Sequence, residues 1–289
     1  MKGKYLNPKA DLTFKKIFGE HPDLTKSLLN ALLPLQGDRL IDTLEIGPSE
    51  LIPDNPAKKY SIVDVRCKDQ LGRQFIVEMQ LYWNNTFMNR VILNASKAVV
   101  KQVDKGKSFK LLQPVYSLNL INDTVFDPNP DEFYHDYAVV NVEHSDRIIE
   151  GLRFVFVELP KFKPQTMLEK RTAVLWLRFL TEIDEQTTEV PTELLENPET
   201  SKALEILEYS SYTDKQMEDY DKFWDAVYME RILIEAGEEK GREEGREEGR
   251  EEGREEERLK NARKMKAKGL SVADIADITG LKEEEIARM

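Results

Sequence analysis

The sequence predicts an α/β domain with a mixed central sheet flanked by helices, followed by a long charged helix and a small helical tail. Alternating apolar residues typical of strands recur between residues 43 and 159, and segments of helical periodicity lie before, among and after them. A GREE repeat then runs from Gly241 to Glu256. A chain of 289 residues is long enough for one core of about 200 residues with an appendage.

The predicted elements follow in chain order. An N-terminal helical pattern ends at Pro34 and has its apolar positions at Leu24, Leu28, Leu29, Leu32 and Leu33. Strands are predicted at 43–51, 60–67 and 74–82, a helix at 87–103, and strands at 114–121, 136–142 and 152–159. Helices are predicted at 167–182 and 200–208, and a long helix begins near Thr213.

The C-terminal third differs in composition from the body. As a helix, the GREE repeat places a glycine at every fourth residue, which gives a ridge without side chains at a cost of about 1 kcal/mol per glycine. This favours a solvated or self-associating connector. A basic segment from Arg258 to Lys268 follows, and then two short helices, with Ser271 as a cap and Gly280 as the break, arranged like a helix-turn-helix. We predict domains at 1–210, 211–257 and 258–289.

The composition excludes several classes of protein. A single cysteine, Cys67, excludes a disulfide framework, and three histidines without metal-ligand spacing leave oxygen atoms as the ligands of any metal. The net charge of −12 opposes binding of a polyanion by bulk attraction, so nucleic acid would need local positive patches or a metal. Without an apolar run long enough to span a membrane, we expect a cytoplasmic protein.

Two acidic residues face each other in a predicted hairpin. Alternation places Ile62, Asp64 and Arg66 on one face of the first strand, with Val63, Val65 and Cys67 on the other. If the loop is centred near Leu71, Asp64 lies opposite Glu78, and Gln80 shares the face of Glu78. Directly opposed carboxylates repel each other.

The repulsion needs an offset, and the residues leave several alternatives open. A shared proton, a neighbouring arginine such as Arg66 or Arg73, or a divalent cation would each provide it. Two carboxylates with a backbone carbonyl and waters suit the octahedral coordination of Mg²⁺. Alternatively, this face is exposed to solvent and the acids are ordinary surface charges.

At these residues the sequence resembles a known family. Asp64 followed after a hairpin by Glu78-Met79-Gln80 resembles the core motif of PD-(D/E)XK nucleases. The segments Asp11-Leu-Thr-Phe-Lys-Lys-Ile-Phe-Gly, Asp64-Val-Arg and Phe75-Ile-Val-Glu-Met-Gln-Leu are similar to the recombination-promoting nuclease and transposase (Rpn) branch of that superfamily. The resemblance covers residues 5–125 most strongly.

The resemblance implies a restriction-endonuclease-like core and a metal-dependent DNA endonuclease of mobile-element type that promotes recombination. Asp64 and Glu78 would bind Mg²⁺, with Mn²⁺ as a substitute, and no small-molecule cofactor is implied. The family usually has a lysine where this chain has Gln80, which puts the reaction rate in doubt. Asp11 either completes the site or caps the first helix.

The resemblance also implies DNA as the partner. Lys15 and Lys16 in the N-terminal block, and Arg90 and Lys97 on the helix after the motif, are candidate DNA contacts or solvated helix residues. Asn94, Lys97 and Lys101 share a helix face that would contact the DNA backbone or water. A homo-oligomer through the C-terminal helix is expected. The alternative function is a catalytically weak or inactive DNA-binding or self-assembling protein on the same fold.

Overall fold

A six-stranded mixed sheet forms the centre of the body and confirms the predicted α/β class. The computed structural model describes residues 4–51, 61–84, 86–103, 108–124, 129, 131–164 and 171–289. The strands of the sheet are β1 (Leu44–Gly47), β4 (Val65–Asp69), β5 (Gln74–Gln80), β6 (Val115–Ile121), β7 (Tyr134–Val140) and β8 (Ile148–Glu158). A separate two-stranded ladder pairs β2 (Glu50–Leu51) with β3 (Ser61–Ile62).

The strand order is β1-β4-β5-β6-β8-β7. Strands β4 and β5 form an antiparallel hairpin, while β5, β6 and β8 run parallel to one another. Parallel neighbours need a crossover connection, and helix α3 (Phe87–Val100) lies in the connection from β5 to β6. The carboxyl ends of β5, β6 and β8 therefore meet at one edge of the sheet.

One face of the sheet packs against the main hydrophobic core. The helices that contribute to this core are α1 (Asp11–Phe14), α2 (Pro22–Leu32), α4 (Arg171–Glu182) and α6 (Pro198–Leu207), and α1 continues into a π-helical turn at Lys15–Gly19. Aromatic rings of Phe14, Phe18, Trp176 and Phe179 pack edge to face or tilted, with neighbouring centroids 4.8–5.6 Å apart. Trp176 is fully buried in this core.

The opposite face of the sheet is covered by α3. Val91, Ala95 and Ala98 of this helix are buried, and the latter two pack with Ile76 of β5 and Val115 of β6. Small residues on α3 allow the helix to lie close to the sheet. This close packing brings polar side chains of α3 within hydrogen-bonding distance of β5.

The predicted strand at 60–67 is interrupted at Val63 and Asp64, so its predicted division into faces is wrong at Val63. Val65 and Cys67 belong to the main core, whereas Val63 packs with Ile76 on the α3 face. In an unbroken strand, these three residues would all point to one face. The interruption releases Val63 to the opposite side and leaves Asp64 just before β4. Tyr60 lies outside the described residues.

Most other element boundaries agree with the predictions to within a few residues. The predicted strand at 43–51 is divided between β1 and β2, with Pro48 between them. The predicted helix at 167–182 corresponds to α4, and residues 167–170 lie outside the described ranges. A short helix, α5 (Thr192–Glu196), was not predicted.

The chain divides into two compact units, residues 1–227 and 228–289. Helix α7 (Asp214–Ala267) confirms the long charged helix, and α8 (Val272–Thr279) and α9 (Glu283–Arg288) follow it. Ser271 caps α8 by accepting a hydrogen bond from the Asp274 backbone N–H. Gly280 ends α8 with φ of +67°, a conformation that favours glycine. Among the described residues, no helix has the length and apolarity required to cross a membrane.

The second unit has a small hydrophobic core of its own. Four buried residues supply this core, namely Ala262, Ile275, Leu281 and Ile286. Lys266 of α7 donates hydrogen bonds through Nζ to the carbonyl oxygens of Ile286 and Ala287 at the end of α9. A cation at a helix C-terminus is electrostatically favourable, so Lys266 holds α9 against α7.

We predict that breaking the buried Asp69–Arg73 ion pair strongly destabilises the body. The Asp69 carboxylate accepts a 2.6 Å hydrogen bond from Arg73 Nε, and both side chains are almost fully buried. Asp69→Ala leaves a buried arginine without its counter-charge, so we expect a loss of about 3–5 kcal/mol in the free energy of unfolding, measured by urea denaturation.

The matched control for this measurement is Glu45→Ala. Glu45 pairs with Lys68 at 3.0 Å, but its side chain is 74% exposed. We expect its removal to cost less than about 1 kcal/mol. Equal losses for the two variants would contradict the importance of the buried pair.

Candidate active site

Glu78 and Asp64 lie together at the hairpin formed by β4 and β5. The observed register pairs Val65 with Val77 and Arg66 with Ile76. This is the register predicted from a loop centred near Leu71, and continuing it by one residue sets Asp64 opposite Glu78. The sequence prediction that these two carboxyl groups face each other agrees with this geometry.

Glu78 is buried against α3, so the interpretation of this face as solvent-exposed surface is wrong. Only 5% of the surface of Glu78 is exposed to solvent. Asn94 of α3 donates a hydrogen bond from Nδ2 to Glu78 Oε1 at 3.1 Å. Asn94 is itself buried, with 1% exposure, so the sequence interpretation of Asn94 as a surface contact is also wrong. Helical spacing placed Asn94 beside Lys97 but gave no sign of which neighbour it contacts.

Asp64 is held by the backbone of the neighbouring strand. Its Oδ2 accepts a 2.7 Å hydrogen bond from the Met79 backbone N–H. The interruption at Val63 allows this contact, because in a continued ladder Met79 would lie opposite Val63. The Asp64 carboxylate thus accepts the Met79 N–H in place of a backbone carbonyl oxygen of the neighbouring strand.

Both carboxyl groups have raised pKa values. Burial is the main cause of the raised pKa of Glu78, and the nearby Asp64 carboxylate adds to it. Burial also raises the pKa of Asp64, whereas its hydrogen bond from the Met79 N–H acts in the opposite direction. The pair therefore retains a proton more readily than isolated carboxylates do.

The arginines expected to offset this repulsion have other partners. Arg73 is paired with Asp69 and also donates to the Arg39 carbonyl oxygen at 2.7 Å. Arg66 donates to Gln74 Oε1 at 3.3 Å. The positive charges that lower the pKa of both Asp64 and Glu78 belong instead to Lys15 and Arg90. Sequence reasoning singled out Lys15 and Arg90, but only as possible DNA contacts.

Gln80 is engaged on both ends of its amide. Its Nε2 donates to the Tyr82 carbonyl oxygen at 2.6 Å, and its Oε1 accepts from the guanidinium of Arg90 at 2.5 Å. The side chain is half-buried at the carboxyl end of β5. Both polar ends of the amide therefore have protein partners close to Glu78.

Asp11 is the first residue of α1, and Ala10 is the N-cap, so the prediction of Asp11 as a helix cap is wrong. The Asp11 carboxylate is half-exposed and pairs with Lys15 Nζ at 2.6 Å. Its negative charge contributes to raising the pKa of Asp64. Asp11 and Lys15 thus form an ion pair at the Asp64 side of the site.

The other two candidate DNA contacts have partners away from the carboxylates. Lys16 donates to the Ser211 carbonyl oxygen at 2.9 Å and lies over the Tyr212 ring, 3.7 Å from its centroid. Lys97 donates to Ser61 Oγ at 2.6 Å. These contacts fix the two lysines against neighbouring segments of the body.

The donor atoms of this site fit a divalent cation bound by two carboxylates. In the described ranges, no group of three or more His, Cys, Asp and Glu side chains forms a metal cluster. However, the buried Asn94 Oδ1 has no hydrogen-bond partner there, and it belongs to the amide that contacts Glu78. An orphaned acceptor beside two repelling carboxylates suits a hydrated cation, because its waters donate hydrogen bonds and its charge removes the repulsion.

We predict that Glu78→Gln stabilises the metal-free protein at alkaline pH. A carboxyl group whose pKa is raised on folding lowers stability as pH increases from its unfolded value through its folded value. The glutamine variant lacks this loss and keeps an oxygen for Asn94. We expect little difference from wild type below about pH 4 and a gain of roughly 1–2 kcal/mol at pH 8, measured by urea unfolding in EDTA.

The exposed carboxylate variant Glu132→Gln is the control for that comparison and should leave the pH dependence unchanged. A Glu78→Gln protein that is less stable than wild type at pH 8 would show that the buried carboxylates do not repel each other.

Comparison with known proteins identifies the family of the chain. A family model described as PD-(D/E)XK nuclease family transposase matches residues 8–236, which cover both acidic residues, Gln80 and most of the body. No curated protein and no solved structure matches the chain significantly. The family model thus matches more than half of the chain. This match agrees with the resemblance found in the sequence and with the mixed α/β sheet. The chain belongs to the PD-(D/E)XK nuclease family transposases.

Proposed function

We propose that this protein is a metal-dependent DNA endonuclease of mobile-element type that hydrolyses phosphodiester bonds and promotes recombination. The observation that carries the proposal is a pair of facing carboxylates, the buried Glu78 and the half-buried Asp64, at the hairpin of a chain from a nuclease family. Burying two like charges is costly, and a site that binds a divalent cation offsets this cost.

Asp64 and Glu78 would hold Mg²⁺, with Mn²⁺ as a substitute. A bound divalent ion polarises the scissile phosphate and lowers the pKa of an attacking water. The Met79 N–H fixes the Asp64 carboxylate, and Asn94 fixes that of Glu78, so both ligands are oriented before the ion arrives. Asp11 would act through Lys15, whose ammonium group it holds near Asp64.

DNA is the substrate that the nuclease family suggests, and the charges around the site support it. The chain carries a net charge of −12, which repels a polyanion at long range. Lys15 and Arg90, the two cations that act on the carboxylate pair, provide local attraction for a phosphate at the site. Lys16 and Lys97 are proposed as backbone contacts farther along the bound DNA.

We predict that the purified protein nicks supercoiled plasmid only in the presence of Mg²⁺ or Mn²⁺. Asp64→Asn should reduce nicking by at least about 10²-fold, because an amide cannot supply the negative ligand. The products are followed on an agarose gel, and Glu132→Gln serves as the control. If the wild-type protein binds the plasmid without nicking it, the alternative is favoured, namely a catalytically inactive DNA-binding or self-assembling protein with the same fold.

We also propose that copies of the chain associate through α7. Apolar side chains of Tyr228, Met229, Ile232 and Leu233 are exposed on this helix. Farther along, a Cβ added at any glycine of the ridge, from Gly241 to Gly253, would meet no atom within 4 Å in the described part of the chain apart from the nearby backbone of its own helix. Contacts within the described part of the chain therefore do not explain why these positions are glycine. A second helix packed closely against the ridge would explain it, because only glycine leaves room for such an approach.

We predict that Gly245→Leu with Gly249→Leu weakens this association. Leucine forms helices better than glycine by roughly 0.8 kcal/mol per residue, so a loss of association cannot result from loss of the helix. Light scattering after size exclusion measures the mass. Glu247→Leu, on the opposite side of the helix, is the control. A monomeric wild type, or leucine variants that associate equally well, would contradict the proposal.

A further inference from the structure

The proposed reaction needs a positive charge that residue 80 does not supply. Phosphodiester cleavage develops negative charge on the phosphoryl oxygens, and enzymes stabilise it with metal ions, lysine or arginine. Gln80 is neutral, and both ends of its amide are already bonded. Gln80 therefore cannot bring a positive charge to a phosphate. The side chain that is bonded to Gln80 Oε1 is the nearest candidate to supply that charge.

That group is the guanidinium of Arg90. Gln80 Nε2 donates to the Tyr82 carbonyl oxygen, which fixes the direction of the amide and turns Oε1 towards Arg90. The turn that carries Tyr82 is itself held, because the Trp83 backbone N–H donates to Asp123 Oδ2 at 2.9 Å, at the end of β6. The acceptor for Arg90 is thus positioned by the carboxyl ends of two parallel strands.

The spacing of α3 matches the spacing of β5. Arg90 and Asn94 lie one helical turn apart, about 6 Å along the axis, and Glu78 and Gln80 are separated by two strand residues, about 6.6 Å. Arg90 contacts Gln80 and Asn94 contacts Glu78, so successive residues on one helix face meet successive residues on one strand face. Arg90 is therefore aligned with the same strand face that carries Glu78.

The Arg90 side chain is both supported and accessible. Its guanidinium carbon lies 5.0 Å from the ring centroid of Phe87, which is fully buried. The arginine itself is exposed to solvent. Its planar group has five N–H donors, and phosphate oxygens match this fork. One N–H donor of Arg90 is bonded to Gln80. Other N–H donors of the same guanidinium face in directions from which a phosphate could accept.

We propose that Arg90 is a catalytic residue that contacts the scissile phosphate and stabilises its developing charge, and that Gln80 is the residue that positions Arg90. This inference rests on the proposed nuclease function. Arg90 takes the role that a charged side chain at position 80 would otherwise fill. Lys15 fits this role less well because its ammonium group is paired with Asp11 at 2.6 Å.

The test compares nicking kinetics of wild type, Arg90→Met, Arg90→Lys and Gln80→Met in Mg²⁺. Arg90→Met should lower kcat by about 10²-fold with less than about a threefold change in KM for plasmid, because the contact forms mainly in the transition state. Arg90→Lys should retain part of the rate. Gln80→Met should lower kcat by a smaller factor, since the arginine is present but no longer held.

Two further measurements separate catalysis from folding or simple DNA binding. Free guanidinium ion should restore part of the rate of Arg90→Met, whereas sodium at equal ionic strength should not. The double variant Gln80→Lys with Arg90→Met should be faster than Arg90→Met alone, because a charge returns from the strand. Binding of the plasmid in Ca²⁺ should weaken by less than about threefold, because Arg90 is one of several cations that attract the DNA, and the melting temperature of Arg90→Met should stay close to the wild-type value.

The control is Arg147→Met, which removes an exposed arginine from the turn between β7 and β8. Its kcat should equal that of wild type. If wild type nicks in an Asp64-dependent manner but Arg90→Met keeps its kcat, or changes only KM, the role of Arg90 is overturned while the nuclease stands. If wild type itself does not nick, the proposed function fails, and the role of Arg90 fails with it.

Discussion

Repulsion between two facing carboxyl groups, the buried Glu78 and the half-buried Asp64, is the constraint around which the centre of this fold is arranged. The hairpin register sets them opposite each other, and α3 buries one of them. The surrounding structure answers the repulsion only partly, through one backbone N–H, one amide and two nearby cations. The individual hydrogen bonds stabilise the fold, but setting two carboxyl groups opposite each other costs stability, and functional sites are where proteins carry such costs.

Much of this arrangement could be predicted from the sequence, and the reason is geometric. A short loop and strict alternation determine which residues of a hairpin are opposed, so the pairing of Asp64 with Glu78 follows from local pattern alone. The long charged helix and the cap of α8 are equally local, because capping and helical periodicity depend on neighbours in the chain.

What could not be predicted depends on packing between distant segments. The interruption at Val63 turns its side chain to the opposite face, and alternation contains no sign of it. The burial of Asn94 and the contact of Arg90 with Gln80 depend on how closely α3 lies on the sheet. Ala95 and Ala98 permit that approach, but small residues in a helix do not reveal which strand they face. For the same reason, the sequence could not show that Arg66 and Arg73 bind other groups and do not offset the repulsion between the two carboxylates.

The hydrogen bond from Met79 to Asp64 also bears on how the evolution of this family is read. In this chain the carboxylate completes the backbone pairing of β5 at the point where β4 is interrupted. A family member without nuclease activity would still need an acceptor at this position, since an unpaired N–H within a sheet is costly. Selection for folding alone would therefore preserve an acceptor here, which aspartate and asparagine both provide. Glu78 accepts its hydrogen bond from the Asn94 side chain, and a glutamine would serve that donor equally well, so only a requirement for negative charge favours carboxylates at both positions.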